Sequence, residues 1–254
     1  MPTDALDLGL LYALVLAAAV LYSSGGHAGA TAYLAIMAWF AFAPAVMRPT
    51  ALVMNIGVAL IGSARFTRAK AVPWPILVPL LCGSIPLAFL GGRMKLSPGT
   101  YLLLLGGVLL LAAGFLWLRP PAKALRDAPH KGALVALGAV LGLLSGVTGI
   151  GGGIFLSPIL ILSGWADPRL TSGAAAVFIL LNSMLGLAGQ YASAAAIPPQ
   201  ALTLALIAMA GGLFGSWLAV HKLQPLVLRR VHAVVVLASG GKLLFEGLKA
   251  SGLA

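Results

Sequence analysis

The chain has 254 residues, of which 61% are hydrophobic and only 8% charged, and its mean hydropathy is +1.05. Soluble domains carry about 25% charged residues, so this chain lacks the polar surface that a soluble fold of its length requires. Its net charge of +11 is not a nucleic-acid footprint, because the basic residues recur between apolar segments instead of forming one patch.

Taken in chain order, the apolar segments fall at about 6–22, 28–46, 50–64, 75–91, 100–118, 132–147, 150–163, 170–192, 200–220 and 231–249. Most approach the ~20 residues that cross a bilayer as a helix, and none shows the ~10-residue alternation of a membrane barrel. The fold class is therefore all-α, a polytopic helical membrane protein of 8–10 segments. The first segment follows Asp4 and Asp7, not a basic region, and no small-residue cleavage site follows it, so it reads as a membrane segment and not as a leader. Segments 50–64 and 150–163 are short and read as tilted or half-length. The pair 132–147 and 150–163 reads equally well as two crossings or as a re-entrant hairpin. The single cysteine, Cys82, supports no disulfide and reads as a packing residue. Trp39, Trp74, Trp117, Trp165 and Trp217 mostly sit near segment ends, as an interfacial belt does.

Alternate crossings place Arg65, Arg68, Lys70, Arg119, Lys123, Arg126, Lys131, Arg169, Lys222, Arg229 and Arg230 on one side. The other side receives Arg48, Arg93 and Lys95, with Lys249 assignable there as well. The bias puts the 119–131 loop in the cytoplasm of a bacterial inner membrane and the amino terminus outside.

The halves resemble each other. Asn55-x6-Gly62 matches Asn182-x6-Gly189 at an offset of 127 residues, and Leu110–Gly114 matches Leu237–Gly241 at the same offset. The chain divides into repeats at 1–124 and 125–254, forming one transmembrane domain. Each repeat holds five segments, an odd number, so the second is inserted upside down relative to the first. Inverted repeats are typical of secondary transporters, whose substrate sites lie near the midplane where the halves meet.

Within this apolar frame one stretch breaks the pattern: Gly146-Val-Thr-Gly-Ile-Gly-Gly-Gly-Ile-Phe-Leu-Ser-Pro158. Backbone freed from helix inside a membrane is tolerated only where it is buried in protein or lines a polar cavity. Amides at Gly149, Gly151, Gly152 and Gly153 beside a helix start, with hydroxyls from Thr148 and Ser157, suit an anion. The competing reading is tight helix packing by small residues. A looser counterpart, Ser23-Ser-Gly-Gly-His-Ala-Gly29, precedes the second segment. There His27 is either a proton-coupling group or an interfacial anchor.

Asn55 and Asn182 become symmetry mates, donating either to one ligand or to each other's helices. Arg48 and Arg169 sit at comparable places in the two halves, each before Thr or Thr-Ser residues suited to capping the next helix. They act as electrostatic funnels at the two mouths or are loop charges, with Asp167 a partner for Arg169. Lys242, mid-segment, is a charge-coupling candidate, or is neutralised by Glu246 one turn on, or snorkels.

The segments Gly146–Leu160 and Asp167-Pro-Arg-Leu-Thr-Ser-Gly-Ala174, with Met47-Arg-Pro-Thr-Ala-Leu-Val-Met-Asn-Ile56 in the first half, resemble the signature of the sulfite exporter TauE/SafE family of membrane permeases. The resemblance spans nearly the whole chain and implies transport of a small, often sulfur-containing anion such as sulfite, a sulfonate or thiosulfate. The first half departs from it where Ser24–Gly29 replaces the fuller glycine signature.

The reading is a secondary permease whose partners are a small anionic substrate and the lipid bilayer, with no nucleic acid and no cofactor. A homo-oligomer is compatible with the sequence. A carrier or channel for another solute would share the architecture, whereas a membrane assembly protein would need no polar midplane. An enzyme is not expected, since no catalytic triad, carboxylate pair or metal-ligand cluster is present.

Overall fold

The computed structural model describes residues 4–24, 26–117, 125–193, 197–218 and 225–252. Among them run α1 (Ala5–Ser24), α2 (Ala30–Trp39), α3 (Pro44–Arg68), α4 (Trp74–Arg93), α5 (Pro98–Trp117), α6 (Lys131–Thr148), α7 (Gly153–Ser163), α8 (Pro168–Ala192), α9 (Pro199–Leu218) and α10 (Pro225–Ala250), with no strand among the described residues. Six of these helices are long and apolar enough to cross a membrane: α1, α3, α4, α6, α8 and α9. Arg119, Lys123, Ala124 and Lys222 lie outside the described residues, as do the side chains of Arg229, Arg230 and Trp217.

Helix lengths repeat in order, and the repetition exposes a difference from the sequence reading. The short elements are α2, with 10 residues, and α7, with 11, each about 15 Å long and half a bilayer deep. The expected short segment at 50–64 is instead the middle of α3, a 25-residue helix matched by α8 at 25 residues. Hydropathy hid this because α3 begins six residues early, at Pro44, and carries Arg48 and Pro49 inside its first turns. The expected 28–46 segment ends at Trp39, where Ala41 takes a positive φ of 52° and breaks the helix. Of the two readings of 132–147 and 150–163, neither holds whole: α6 is a full span and α7 a half-length helix.

Each half-helix starts from a glycine in the left-handed region, Gly29 before α2 (φ 101°) and Gly152 before α7 (φ 78°). A side chain is strained there, so both helix starts demand glycine.

Three kinds of glycine contact hold the long helices together. Along α6, Gly138, Gly142 and Gly146 meet the backbone of α4 at Leu80, Ser84 and Ala88 in step, so the two helices run parallel. Along α9, Gly211 and Gly215 meet α1 at Leu16 and Val20, also in step. Between α5 and α10, Gly106 faces Gly240 and Gly99 faces Ser251, so this pair runs antiparallel. In each case close backbone approach, not hydrophobicity, drives association, as expected where lipid is as apolar as the helix. The α4–α6 and α1–α9 pairs each join a helix from the first half of the chain to one from the second. Cys82, expected to pack, lies on an exposed face of α4, because its neighbour Gly83 is the residue turned toward α6.

Half-helices end inside the membrane and leave carbonyls without partners. For α2 the answer is Lys242 of α10. Its Nζ donates to Ala38 O at 2.9 Å and lies 4.8 Å from the Trp39 ring centroid, while Glu246 Oε1 stands 3.6 Å away. A cation at a helix C-terminus is also favoured by the dipole. Lys242 is thus a helix cap first and an ion-pair partner second.

Two consequences are measurable. Gly142→Leu places a side chain against the Ser84 backbone and is expected to lower the detergent melting midpoint by at least about 5 °C. Gly107→Leu, with open space around it, shifts it little. Lys242→Met strips the α2 C-terminus of its donor and costs about 1–3 kcal/mol, read in the same melt.

Candidate functional site

Four helix ends gather around one cavity. Arg169 Nη2 approaches Ala69 O at 3.5 Å, and Gly173 of α8 packs on the Ala71 carbonyl, so the end of α3 and the start of α8 share one side. Gly26, just past α1, packs on Ser172, and Gly215 near the end of α9 packs on Val20 and Ser23. We call this side the basic end. The cavity that opens here has a volume of about 790 Å³ and is lined by Arg65, Arg68, Arg169 and Ser172 and by Gly26, His27 and Ala28 of the loop before α2. From Arg68 to Val58 along α3 it runs ten residues, about 15 Å, so it reaches the middle of the bundle. No carboxylate is among its described lining residues.

Beyond His27 lies a chamber of about 10 Å³, lined by Tyr22, Thr31, Asn55, Ile150, Ile154 and Ile179 as well as His27, Ala28, Gly29 and Ala30. That is room for one water. The starts of both half-helices bound it, α2 through Ala28–Thr31 and α7 through Ile150 and Ile154. Asn55 is the twelfth residue of α3's 25 and is fully buried. Its Nδ2 donates to Ile150 O at 3.2 Å and lies 3.4 Å from Ser183 Oγ, while its Oδ1 has no partner. A carbonyl can face only the amide nitrogen, so Ile150 O fixes which way the Asn55 amide points.

His27 Nε2 lies 2.9 Å from Ser157 Oγ, which donates its own proton to Gly153 O at 3.0 Å. A hydroxyl has one proton to give. Ser157 therefore accepts from His27, and the neutral ring carries its proton on Nε2. This contact ties the loop before α2 to α7.

The sequence-derived residues thus separate into two groups. His27 and Arg169 line the cavity, His27 and Asn55 line the chamber, and Ser157 is reached only through its contact with His27. The loop Thr148–Gly153 does not reach the cavity: all its residues are buried. Thr148 Oγ1 donates to Leu144 O and accepts from the Ile150 amide, and its carbonyl accepts from Tyr101. Gly149 packs on Arg48, Gly151 on Asn55 and Ser183, Gly152 on Phe178 and Gly153 on Ile179. Asn182 Nδ2 donates to Phe178 O of its own helix at 2.8 Å, and the residue that meets Asn55 is Ser183.

Arg48 differs most from a funnel at a mouth. Its guanidinium donates to the Gly146, Gly91, Gly92 and Met94 carbonyls, sealing the C-terminal ends of α4 and α6 at the side opposite the basic end. The expected hydroxyl caps are replaced as well. Thr50 is buried inside α3 with its Oγ1 unpartnered. Asp167 is the cap of α8, accepting from the Arg169 and Leu170 amides at 2.8 and 2.9 Å, with no ion pair to the Arg169 side chain. Arg65 and Arg68 enter the sequence reading only as topology charges. Their i, i+3 spacing, which stacks them on one helix face, is the signal that marks them as a pair.

A family model described as "Sulfite exporter TauE/SafE" matches residues 11–243. Among curated proteins the chain is similar to the "Probable membrane transporter protein y4hK" of Sinorhizobium fredii (strain NBRC 101917 / NGR234). The two are 33% identical over 254 residues, covering 96% of this chain and 100% of that one. No solved structure matches.

The cavity's asymmetry is directly testable by thiol labelling in a Cys82→Ser background. Ile61→Cys, on the cavity wall, is expected to react with a membrane-impermeant maleimide applied from the basic end. Thr50→Cys, buried beneath the Arg48 seal, is expected to stay protected from either side.

Proposed function

Since this chain belongs to the sulfite exporter TauE/SafE family and is a multi-pass membrane transporter, we propose that it carries a small sulfur-containing oxyanion, such as sulfite, thiosulfate or a sulfonate, across a bacterial inner membrane. The observation that carries this reading is the cavity itself. Three arginines line it, no carboxylate among the described lining residues opposes them, and it shares His27 and Ala28 with the small chamber bounded by the starts of two half-helices. Positive walls concentrate anions, and helix N-termini receive them.

The basic end is assigned to the cytoplasm, as the positive-inside bias requires. This conformation is then open inward and sealed outward by Arg48. Rocking of two inverted halves, 1–124 and 125–254, exchanges the roles of the two glycine loops. Gly149, Gly151, Gly152, Gly153 and Thr148, packed in this state, become the outward-facing wall in the other. Asn55 and Ser157 stay at the centre in both. A sealed end favours a carrier over a channel.

The double variant Arg65→Gln/Arg169→Gln tests the reading in proteoliposomes supplied with thiosulfate, sulfite or taurine. It is expected to raise KM by about tenfold with a smaller change in kcat, because the arginines attract substrate from the mouth. Unaltered KM for every anion moved, with the variant correctly folded, would sink the role given to the cavity. Transport of none of the three by the wild type would sink the substrate class.

A further inference from the structure

The side opposite the basic end is closed by bare backbone, where α3 and α8 meet α4 and α6. Gly92 of α4 packs on the Gly186 carbonyl of α8, and Gly189 of α8 packs on the Phe89 carbonyl of α4. A Cβ on Gly186 would lie 3.5 Å from the Gly146 Cα of α6 and 3.6 Å from the Leu52 side chain of α3. The Asn55–Ser183 contact joins α3 to α8, and the glycine contacts described above join α4 to α6. Arg48 of α3 reaches across from one pair to the other, binding the Gly92 and Gly146 carbonyls at the end of this seam.

Small residues alone make a tight seam and nothing more. The polar groups beside this one do not fit that account. Asn182, Gly186 and Gln190 follow one another at four-residue intervals and share a face of α8, the face on which Gly186 meets Gly146. Asn182 is fully buried with its Oδ1 unpartnered, and Gln190 is buried with its Nε2 unpartnered. On α6, Ser145 is fully buried and its Oγ is likewise unpartnered. Ser145 stands against Gly152, which packs on Phe178, and the Phe178 carbonyl holds Asn182 Nδ2. Buried polar groups without partners are destabilising, whereas apolar groups of the same shape would be tolerated there. Along α8 they extend eight residues, about 12 Å, from the fifteenth of its 25 residues nearly to its end.

We propose that Ser145, Asn182 and Gln190 line the far half of the substrate route, which opens when α3 and α8 part from α4 and α6 along the Gly92–Gly146–Gly186 seam. This rests on the oxyanion-carrier reading of the cavity at the basic end. In the opened state the Ser145 hydroxyl and the Gln190 amide donate to the passing oxyanion, and water reaches Asn182 Oδ1. Groups that lack partners in the closed state thus gain them in the open one. Every Arg48 hydrogen bond to α4 and α6 crosses the seam and is lost on opening. The freed guanidinium then offers its paired donors to an oxyanion at that mouth. Arg48 is a latch while the seam is closed and an anion ligand once it opens.

The test uses the full chain in oriented proteoliposomes, with thiosulfate as the probe. Ser145→Cys and Gln190→Cys are made separately in a Cys82→Ser background, and a small membrane-impermeant maleimide is applied from the side opposite the basic end. Neither substitution enlarges its side chain beyond what the seam already holds. Labelling of both is expected to run at least about fivefold faster during thiosulfate transport than without thiosulfate, since a ligand shifts the population of states. Hydroxyl-radical footprinting of the wild type gives the same readout without a substitution, and it decides the matter where a cysteine variant does not transport. Leu52, fully buried and packed on Gly186, is expected to gain modification during transport. Leu105, equally buried on α5, is expected to gain none. Protection of Leu52 and of both cysteines while thiosulfate moves overturns the route and leaves the oxyanion reading intact. An equal gain at Leu105 also overturns it, because the change is then general loosening. A wild type that moves neither thiosulfate, sulfite nor taurine overturns both.

Discussion

Everything in this bundle depends on how buried backbone polar groups find partners once two helices stop halfway across a membrane. An unpaired amide or carbonyl in hydrocarbon costs several kcal/mol, so each interruption must be answered from a neighbouring element. Lys242 answers the C-terminus of α2. The Arg126 amide donates to Gly164 O just past α7. Arg48 alone gathers four carbonyls at the ends of α4 and α6. The intramembrane charges are thus occupied with backbone ends. The half-helix starts bound a small chamber beside His27 instead.

The same constraint explains why the two glycine loops differ in one conformation. Close glycine contacts pair α6 with α4 and α9 with α1. What differs is the wedge each loop presents. Around Gly149–Gly153 the neighbours are Phe178, Ile179 and the Arg48 backbone, close enough that a Cβ would press on them. Around Gly26–Ala28 there is a cavity. A carrier whose states are exchanged by a two-fold must break symmetry in every end state, because a symmetric molecule would be open on both sides or on neither.

Much of this is legible in the sequence, and the failures have identifiable causes. The all-helical class follows from composition, and the unusual backbone follows from glycine density at 146–153. Half-helix α7 is legible because its flanks, Gly152 and Gly164, are both glycines in the left-handed region. Its counterpart α2 is not, because Phe40–Phe42 is apolar and the break there comes from backbone geometry at Ala41, which hydropathy does not register. Arg48 is misplaced for the opposite reason. A charge beside a proline reads as a loop, yet here the guanidinium is satisfied by four carbonyls outside its own helix, contacts separated by 43 to 98 residues in the chain. No local pattern encodes that.

The placement of His27 follows from these same constraints. The loop before α2 borders a chamber that residues of α1, α3 and α8 and the start of α7 also line. In the second half this position is filled by glycine and isoleucine, which pack. In the first half it is filled by histidine, which faces the cavity on one side and holds Ser157 on the other. The departure of Ser24–Gly29 from a fuller glycine signature is therefore more than a weakened repeat. It exchanges a packed isoleucine, Ile150, for a titratable ring at the edge of the cavity.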